Sequence, residues 1–482
     1  MTDGDWRVCM MAGGASSRFY PMNKIFADPT GCGRTMVQQA FDRVCSPSAA
    51  NVYSPSSFVT PAHFSGLTLP PAMSPSQFFV VTGHAEVGPM REQLSALPSE
   101  NVLDEPERRN TLPAILWAIA SMMRAPASPA KDLCVAIVTA DHLIGNAALF
   151  RSTLYAARER ATREPVICTI GIQPSALARE WTGFGAINAD QAHPLAPLDG
   201  TRPEYPVVGH LPALPLVRFE EKPSESRAGQ MIAQGGWYWN AGMFVFRVST
   251  LELALKAFQP AMHGLYLDMC RALGAANQPE ARRLFGQLPK HIPHPLEPAK
   301  MADCSIDYAL MVPMSMAQGP APVRGVVLPG VFPWLDIGSW DALRKVLTPD
   351  GQANVVVGPV TLDGATRDSI LVVEAPLPGR PRPHLTVAGL SGQVVVLSKE
   401  GVLLVVPVEK AQRVKDLKAQ AEALTKAHPE APHAACLVEC ARVEVLAGTE
   451  AHGRVSAVGV SAPLQAGLAL AEDTLQATVR AL

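Results

Sequence analysis

The sequence predicts an α/β fold: a mostly parallel sheet covered by helices, followed by a small all-β module. Three observations carry this expectation. Short β-rich runs alternate with helical patterns through residue 345, as βαβ units require. Several of these runs are apolar throughout, as strands buried on both faces must be. Near Leu347 the composition shifts, and residues 354–408 become rich in Val and Gly, with runs such as NVVVGPV, SILVVE, GQVVVLS and GVLLVVPV between turn signals.

In chain order, strands are expected at 7–11, 77–82, 133–139, 166–172 and 243–247, and helices at 35–44, 111–123 and 250–258. The Pro- and Ser-rich stretches 46–76 and 193–215 read as surface insertions. The expected domains are 1–347, then a β-module with a terminal helical segment at 408–428 inside 348–428, then a tail of unassigned role at 429–482.

Composition narrows the function classes. Hydrophobic residues make up 48% of the 482 and charged ones only 17%, which excludes a disordered chain. The formal charge of -2 argues against a basic nucleic-acid binder. Any anionic ligand must be held by local cations and backbone amides rather than by the overall field. Mean hydropathy is +0.12, yet no apolar run approaches the ~18 residues of a membrane span. The start, MTDGDWRV, lacks the basic-then-apolar pattern of a signal peptide. The nine cysteines include no C-x-x-C pair, so reduced thiols and a cytoplasmic location are expected. His291 and His294 sit in KHIPHP, where prolines forbid a regular helix. They read as loop, not as metal ligands.

The first chemical signal is WRVCMMAGGASSRFYPMNK. A strand runs into a loop of small residues, Ala12, Gly13, Gly14 and Ser16, followed by the cations Arg18 and Lys24. Small residues let backbone N–H groups approach phosphate oxygens, and a nearby cation completes an anion cradle. The loop is neither a P-loop nor a dinucleotide fingerprint, and by itself it fits a tight strand-to-helix turn equally well.

Gly13-Gly14-x-x-x-Arg18, followed by KIFADPTGCGRTMVQQAFDRV, resembles the signature of nucleotide-sugar pyrophosphorylases and, among them, of mannose-1-phosphate guanylyltransferases. Ser16 stands where that family has its third Gly, and the stretch between Arg18 and Lys24 is shorter than in typical members. Further motifs follow in the family's order. DEPERRNTLPA carries Glu105, Asn110 and Thr111; VTADH carries Asp141; TGFGAI carries Gly185. EKP carries Glu221 and Lys222, WNAGMF carries Asn240, SIDYA follows, and WLDIGSW carries Asp336. The resemblance spans residues 6–418 and includes the β-module with its K-A-Q-R-V-K ending.

The resemblance implies a Rossmann-like, GT-A-like nucleotidyltransferase domain with a β-helix-like carboxyl-terminal module. It implies GTP and a sugar-1-phosphate, mannose-1-phosphate first, as substrates, with Mg2+ as cofactor. Arg18 and Lys24 would grip the triphosphate, Asp141 and Asp336 would hold the metal, and Lys222 would place the sugar phosphate. Ala12, Gly13, Gly14, Ser16, Glu105, Asn110 and Thr111 would bind the nucleotide, and Gly185, Glu221 and Asn240 the sugar. No nucleic-acid or membrane partner is expected, and a homodimer is.

The residues themselves leave alternatives open. Asn110 or Thr111 also reads as a helix N-cap, Gly185 as a hairpin turn, and the Glu221–Lys222 pair as solvated surface. Another sugar such as a heptose, another base, or a catalytically silent regulatory paralogue are the competing functions; retention of both aspartates argues against the last. A fused isomerase of the cupin class is not expected, because the residues after His428 are few and offer only His433 and His452.

Overall fold

The computed structural model describes residues 5–14, 17–47, 70–124, 132–198, 211–317, 321–376, 384–399 and 402–418, and the backbone of four further strands between 436 and 481. Most of the expected insertions 46–76 and 193–215 lie outside the described residues, as does the expected helix beyond 418.

The larger sheet has nine strands: β1 (Trp6–Met11), β2 (Phe78–Gly83), β3 (Val102–Glu105), β4 (Cys134–Thr139), β6 (Val166–Ile172), β7 (Gly185–Ala189), β8 (Leu214–Glu221), β9 (Trp237–Arg247) and β12 (Arg324–Pro329). Between them in sequence, β5 (His142–Ile144) pairs with β13 (Trp334–Asp336), and β10 (His291–Pro293) forms an antiparallel ribbon with β11 (Met301–Asp303). The order across the sheet is β3-β2-β1-β4-β9-β6-β12-β8-β7. Strand β1 is parallel to β2 and β4, β2 to β3, and β6 to β12. Strand β9 is antiparallel to β4 and β6, and β8 to β12 and β7. The mostly parallel expectation therefore needs correcting to a mixed sheet in which β8 and β9 run against the rest. The apolar run 243–247 within β9 reads the same in either direction, and β8, which carries Arg218, Glu220 and Glu221, is not among the expected strands, so sequence pattern does not report this reversal.

Every residue of β2 and of β6 is buried, which requires cover on both faces. Alternate residues, among them Cys9, Phe79, Val135, Ile137 and Ile167, join one core with the helices at Thr111–Arg124, Val248–Phe258 and Pro260–Gly274. The helix at Ala147–Arg163 packs on β4, β6, β9 and β12.

The carboxyl-terminal module forms two five-stranded sheets. One is ordered β14 (Val355–Val357), β16 (Ile370–Val373), β18 (Gln393–Leu397), β19 (Leu403–Pro407) and β20 (Cys436–Val438). The other is ordered β15 (Val360–Leu362), β17 (His384–Ala388), β23 (Gln476–Ala481), β21 (Val443–Ala447) and β22 (Arg454–Ala457). Val355, Ile370 and Val394 stand in register across three parallel strands, a β-branched row suited to a buried pleated surface. The stretch 429–482, read above as a tail, supplies β20 in parallel to β19 and β23 in parallel to β17. The helical segment after β19 begins as a 3-10 helix, Val408–Arg413.

By internal packing the chain forms two units. The first comprises Met1–Gly14, Ala40–Ala140 and Ile144–Trp334 and contains the nine-stranded sheet. The second comprises Ala15–Gln39, Asp141–Leu143 and Leu335–Leu482. The division thus departs from a single cut at 347: two excursions from the first part of the chain belong with the module.

Candidate active site

The second unit gathers the expected cations and metal carboxylates. Lys24 opens a short 3-10 helix, Lys24–Phe26, and is 4% exposed. Its Nζ donates to Asp141 Oδ2 at 3.0 Å and to Asp336 Oδ1 at 3.1 Å. These partners lie 117 and 312 residues away in sequence, so the fold alone unites them. The Lys24 ammonium also lies 5.6 Å from the centre of the Phe19 ring. Burial pushes the Asp141 carboxyl up, but the Lys24 charge, His142 and the hydrogen bond from Lys24 outweigh it and hold the group at about 2. The expectation placed Lys24 on a triphosphate; in the structure its ammonium is engaged by the two aspartates.

Arg18 lies in the 3-10 helix Ser17–Phe19. Its Nη1 donates to Gln412 Oε1 at 3.2 Å, and Gln412 Nε2 donates to Ser339 Oγ at 2.6 Å. Phe19 stacks on Trp340 with ring centres 4.5 Å apart, and Trp340 Nε1 donates to the carbonyl of Tyr20 at 3.1 Å. The Arg18 segment is therefore braced by the G-S-W turn and by the 3-10 helix Val408–Arg413. Gln412 carried no expected role, although it belongs to the K-A-Q-R-V-K stretch at 410–415. Ser16 lies outside the described residues.

In the first unit, Ala12 donates its N–H to the Val81 carbonyl at 2.9 Å, and its own carbonyl accepts from Thr82 Oγ1 at 3.0 Å. Both of its backbone groups thus serve the sheet. Gly13 and Gly14 follow, and Gly14 is exposed with open space where a side chain would be. A Cβ on Gly13 would lie 3.3 Å from Glu105 Oε2, so glycine admits the acid here. Glu105 ends β3 buried, with Oε1 lacking a partner among the described residues, and burial raises its carboxyl to about 7. Asn110 takes a left-handed backbone, φ 72, and its Oδ1 accepts from the Thr111 N–H at 2.7 Å. Thr111 Oγ1 accepts from the Ile306 N–H at 3.1 Å, so this hydroxyl fastens the helix start to the S-I-D-Y-A turn.

A second acidic cluster lies in the same unit. Gly185 stands opposite Glu221 in the β7–β8 register, and a Cβ there would collide with Glu221 Oε2. Asn240, on β9, donates from Nδ2 to Asp307 Oδ1 at 2.8 Å. Its Oδ1 accepts from the Gly242 N–H at 3.1 Å and Thr169 Oγ1 at 3.3 Å. With both acceptor positions taken, Asn240 keeps one N–H to offer a ligand. Burial, then the charge of Asp307, raises Glu221 to about 7, with Lys222 opposing; burial likewise raises Asp307. Lys222 Nζ lies 3.5 Å from Glu221 Oε1, is 63% exposed, and sits on a strained backbone at φ 47. Asp307 opens a π-helical turn, Asp307–Met311, and was given no role in the sequence reading. The S-I-D-Y-A match was the available signal, and π-turns gather at functional sites. Phe184 stacks on Trp239 and Trp334 at 4.9 and 5.5 Å, so three motifs share one aromatic wall.

His291 Nε2 lies 3.4 Å from Asp303 Oδ1, and His294 Nδ1 accepts from Leu296 and Glu297 N–H groups. Among the described residues no group of three or more His, Cys, Asp or Glu is arranged to hold a metal, and no helix is long and apolar enough to cross a membrane.

Comparison with known proteins bears on what these clusters serve. Residues 73–352 match the family described as nucleotidyl transferase. A mannose-1-phosphate guanylyltransferase of Escherichia coli is 30% identical over 411 residues, which is 84% of this chain and 72% of that protein. The chain belongs to the mannose-1-phosphate guanylyltransferase family of nucleotidyl transferases. The alginate biosynthesis protein AlgA of Pseudomonas aeruginosa is 29% identical, over 87% of this chain and 74% of that one. A crystal structure described as a mannose-1-phosphate geranyltransferase of Thermus thermophilus covers 87% of this chain and 99% of its own with a TM-score of 0.59 at 22% identity, a likeness of fold.

Proposed function

We propose that this chain makes GDP-mannose and pyrophosphate from GTP and mannose-1-phosphate, by in-line attack of a sugar-phosphate oxygen on the α-phosphorus. The new P–O bond joins the sugar phosphate to the α-phosphorus as the bond to the β-phosphate breaks, and pyrophosphate carries the electron pair away. The nucleophile is already an anion, so no general base is needed; positioning and charge stabilisation supply the rate.

The observation that carries this reading is the union of Lys24, Asp141 and Asp336 from three distant segments, two of them aspartates the motifs mark as metal ligands. Two carboxylates suit Mg2+, which takes one or two such ligands and completes its shell with phosphates and water. When bound there, Mg2+ would polarise the α-phosphate and neutralise the leaving group. Arg18, held by Gln412, reaches for the triphosphate, and Lys222 for the phosphate of the sugar. Glu221, Asp307 and the remaining Asn240 N–H take sugar hydroxyls, with Gly13, Gly14 and Glu105 at the nucleotide.

Pyrophosphate release is to be measured with a panel of sugar-1-phosphates and nucleoside triphosphates. GTP with mannose-1-phosphate should be the best pair. A heptose phosphate, or another base, turning over at least tenfold better would overturn the substrate assignment.

A further inference from the structure

The Lys24 side chain has a place the proposed reaction does not require. A lysine meant only for phosphate would wait in solvent; this one is 4% exposed with its ammonium on one oxygen of each aspartate. Two neighbouring carboxylates repel, and a half-buried pair such as Asp141 and Asp336 is steadied by a counter-charge. Lys24 is that charge, and its ammonium takes one oxygen from each of the two carboxylates that would hold a divalent ion. An ammonium and a divalent ion cannot share so small a space, because their charges are alike.

We infer that Lys24 is the resident counter-ion of the Asp141–Asp336 site and leaves it when a divalent metal enters. The inference rests on the proposed metal role of these aspartates. Two carboxylates with one ammonium carry a net charge of −1, and exchange for a divalent ion brings the pair to neutrality. The expelled ammonium then needs an anion, and the phosphates of a metal–nucleotide complex supply one. Metal alone must displace Lys24 without offering it a partner, so the free protein takes up metal weakly. Metal arriving with the nucleotide does not meet that opposition. One lysine thereby keeps the aspartates assembled in the free protein and becomes a phosphate ligand only with substrate present.

Mn2+ binding to the full chain without nucleotide, followed by the electron paramagnetic resonance of free Mn2+, tests this. Lys24→Gln should bind Mn2+ at least tenfold more tightly than the wild type, and Asp336→Asn more weakly than both. If Lys24→Gln binds no more tightly than the wild type while Asp336→Asn binds more weakly, the exchange is wrong and the metal site stands. If Asp336→Asn binds as the wild type does, the metal reading fails and the exchange with it. A second measurement needs no variant. Reductive methylation of the wild type, read by mass spectrometry, should find Lys24 protected without metal and labelled at saturating Mg2+. Lys24 labelling that Mg2+ leaves unchanged would overturn the exchange.

Discussion

The two acidic clusters solve the same electrostatic problem in opposite ways. Asp141 and Asp336 share the buried Lys24 ammonium, and Asp141 is held at about 2. Among the described residues, the cation beside Glu221 and Asp307 is the exposed Lys222, and Glu221 is raised to about 7. The first cluster is partly neutralised from within the chain and is assembled before any ligand arrives. The second carries under-compensated acid, with Gly185 leaving room for Glu221 and the Asn240 amide holding Asp307. Such frustration persists where a ligand relieves it, and sugar hydroxyls are suitable donors.

The largest expected effect comes from emptying the neutralised cluster. Asp141→Ala should lower kcat for pyrophosphate release by on the order of 10³-fold, as removal of a charge-stabilising group does. Activity within tenfold of the wild type would remove this residue from the centre.

The frustrated cluster should show a trade between activity and stability. Glu221→Gln is expected to cut kcat/KM for mannose-1-phosphate roughly 10²-fold, the scale of a hydrogen-bonded acid in a sugar site. The raised Glu221 binds more protons folded than unfolded, so its contribution to stability is present below its unfolded value near 4.5 and lost as pH rises through about 7. The variant should therefore melt higher than the wild type at pH 8, by on the order of 1–3 kcal/mol of stability, and gain nothing at pH 4. Calorimetry at the two pH values checks this, and equal melting at pH 8 would refute the frustration.

Asp141 has the opposite sign. Its depressed carboxyl contributes stability above the ordinary value of 3.8, and that contribution is lost as pH falls through about 2. Acid melting of the wild type below pH 4 should be steeper than that of Asp141→Asn.

The smallest effect concerns the brace on Arg18. Gln412→Ala removes the hydrogen bond from Arg18 and the one to Ser339, each worth about 0.5–1.5 kcal/mol, and only the first bears on Arg18, so KM for GTP should rise by roughly 3–10-fold with kcat little changed. A fall in kcat alone would assign Gln412 another role.

Much of this was legible in the sequence because ordered motifs mark positions, and each candidate residue was nameable from its motif. Partnerships were not. Lys24 looked like a phosphate ligand because its local context contains no carboxylate that would reveal 141 and 336. Thr111 is expected at the nucleotide, and that its hydroxyl also accepts from the Ile306 N–H, 195 residues on, is not legible locally. Asp307 sat in a recognised motif without a role, since its bond to Asn240 depends on how β9 meets the π-turn. In the fold, β9 hid its reversal because apolar runs have no direction, and β8, with Arg218, Glu220 and Glu221 in it, offered no apolar run to read. The strands within 436–481 went unread because Ala-, Val- and Leu-rich sequence serves helix and strand alike.

The central claim is transfer to the α-phosphorus at the Lys24–Asp141–Asp336 centre. GTP labelled at its α-phosphate, incubated with mannose-1-phosphate, Mg2+ and the wild type, measures it most directly, with Asp336→Ala beside it. All transferred label should appear in GDP-mannose, none in pyrophosphate, and the variant should transfer on the order of 10³-fold less. Label released as GMP without a sugar, or a variant that transfers as the wild type does, would contradict it.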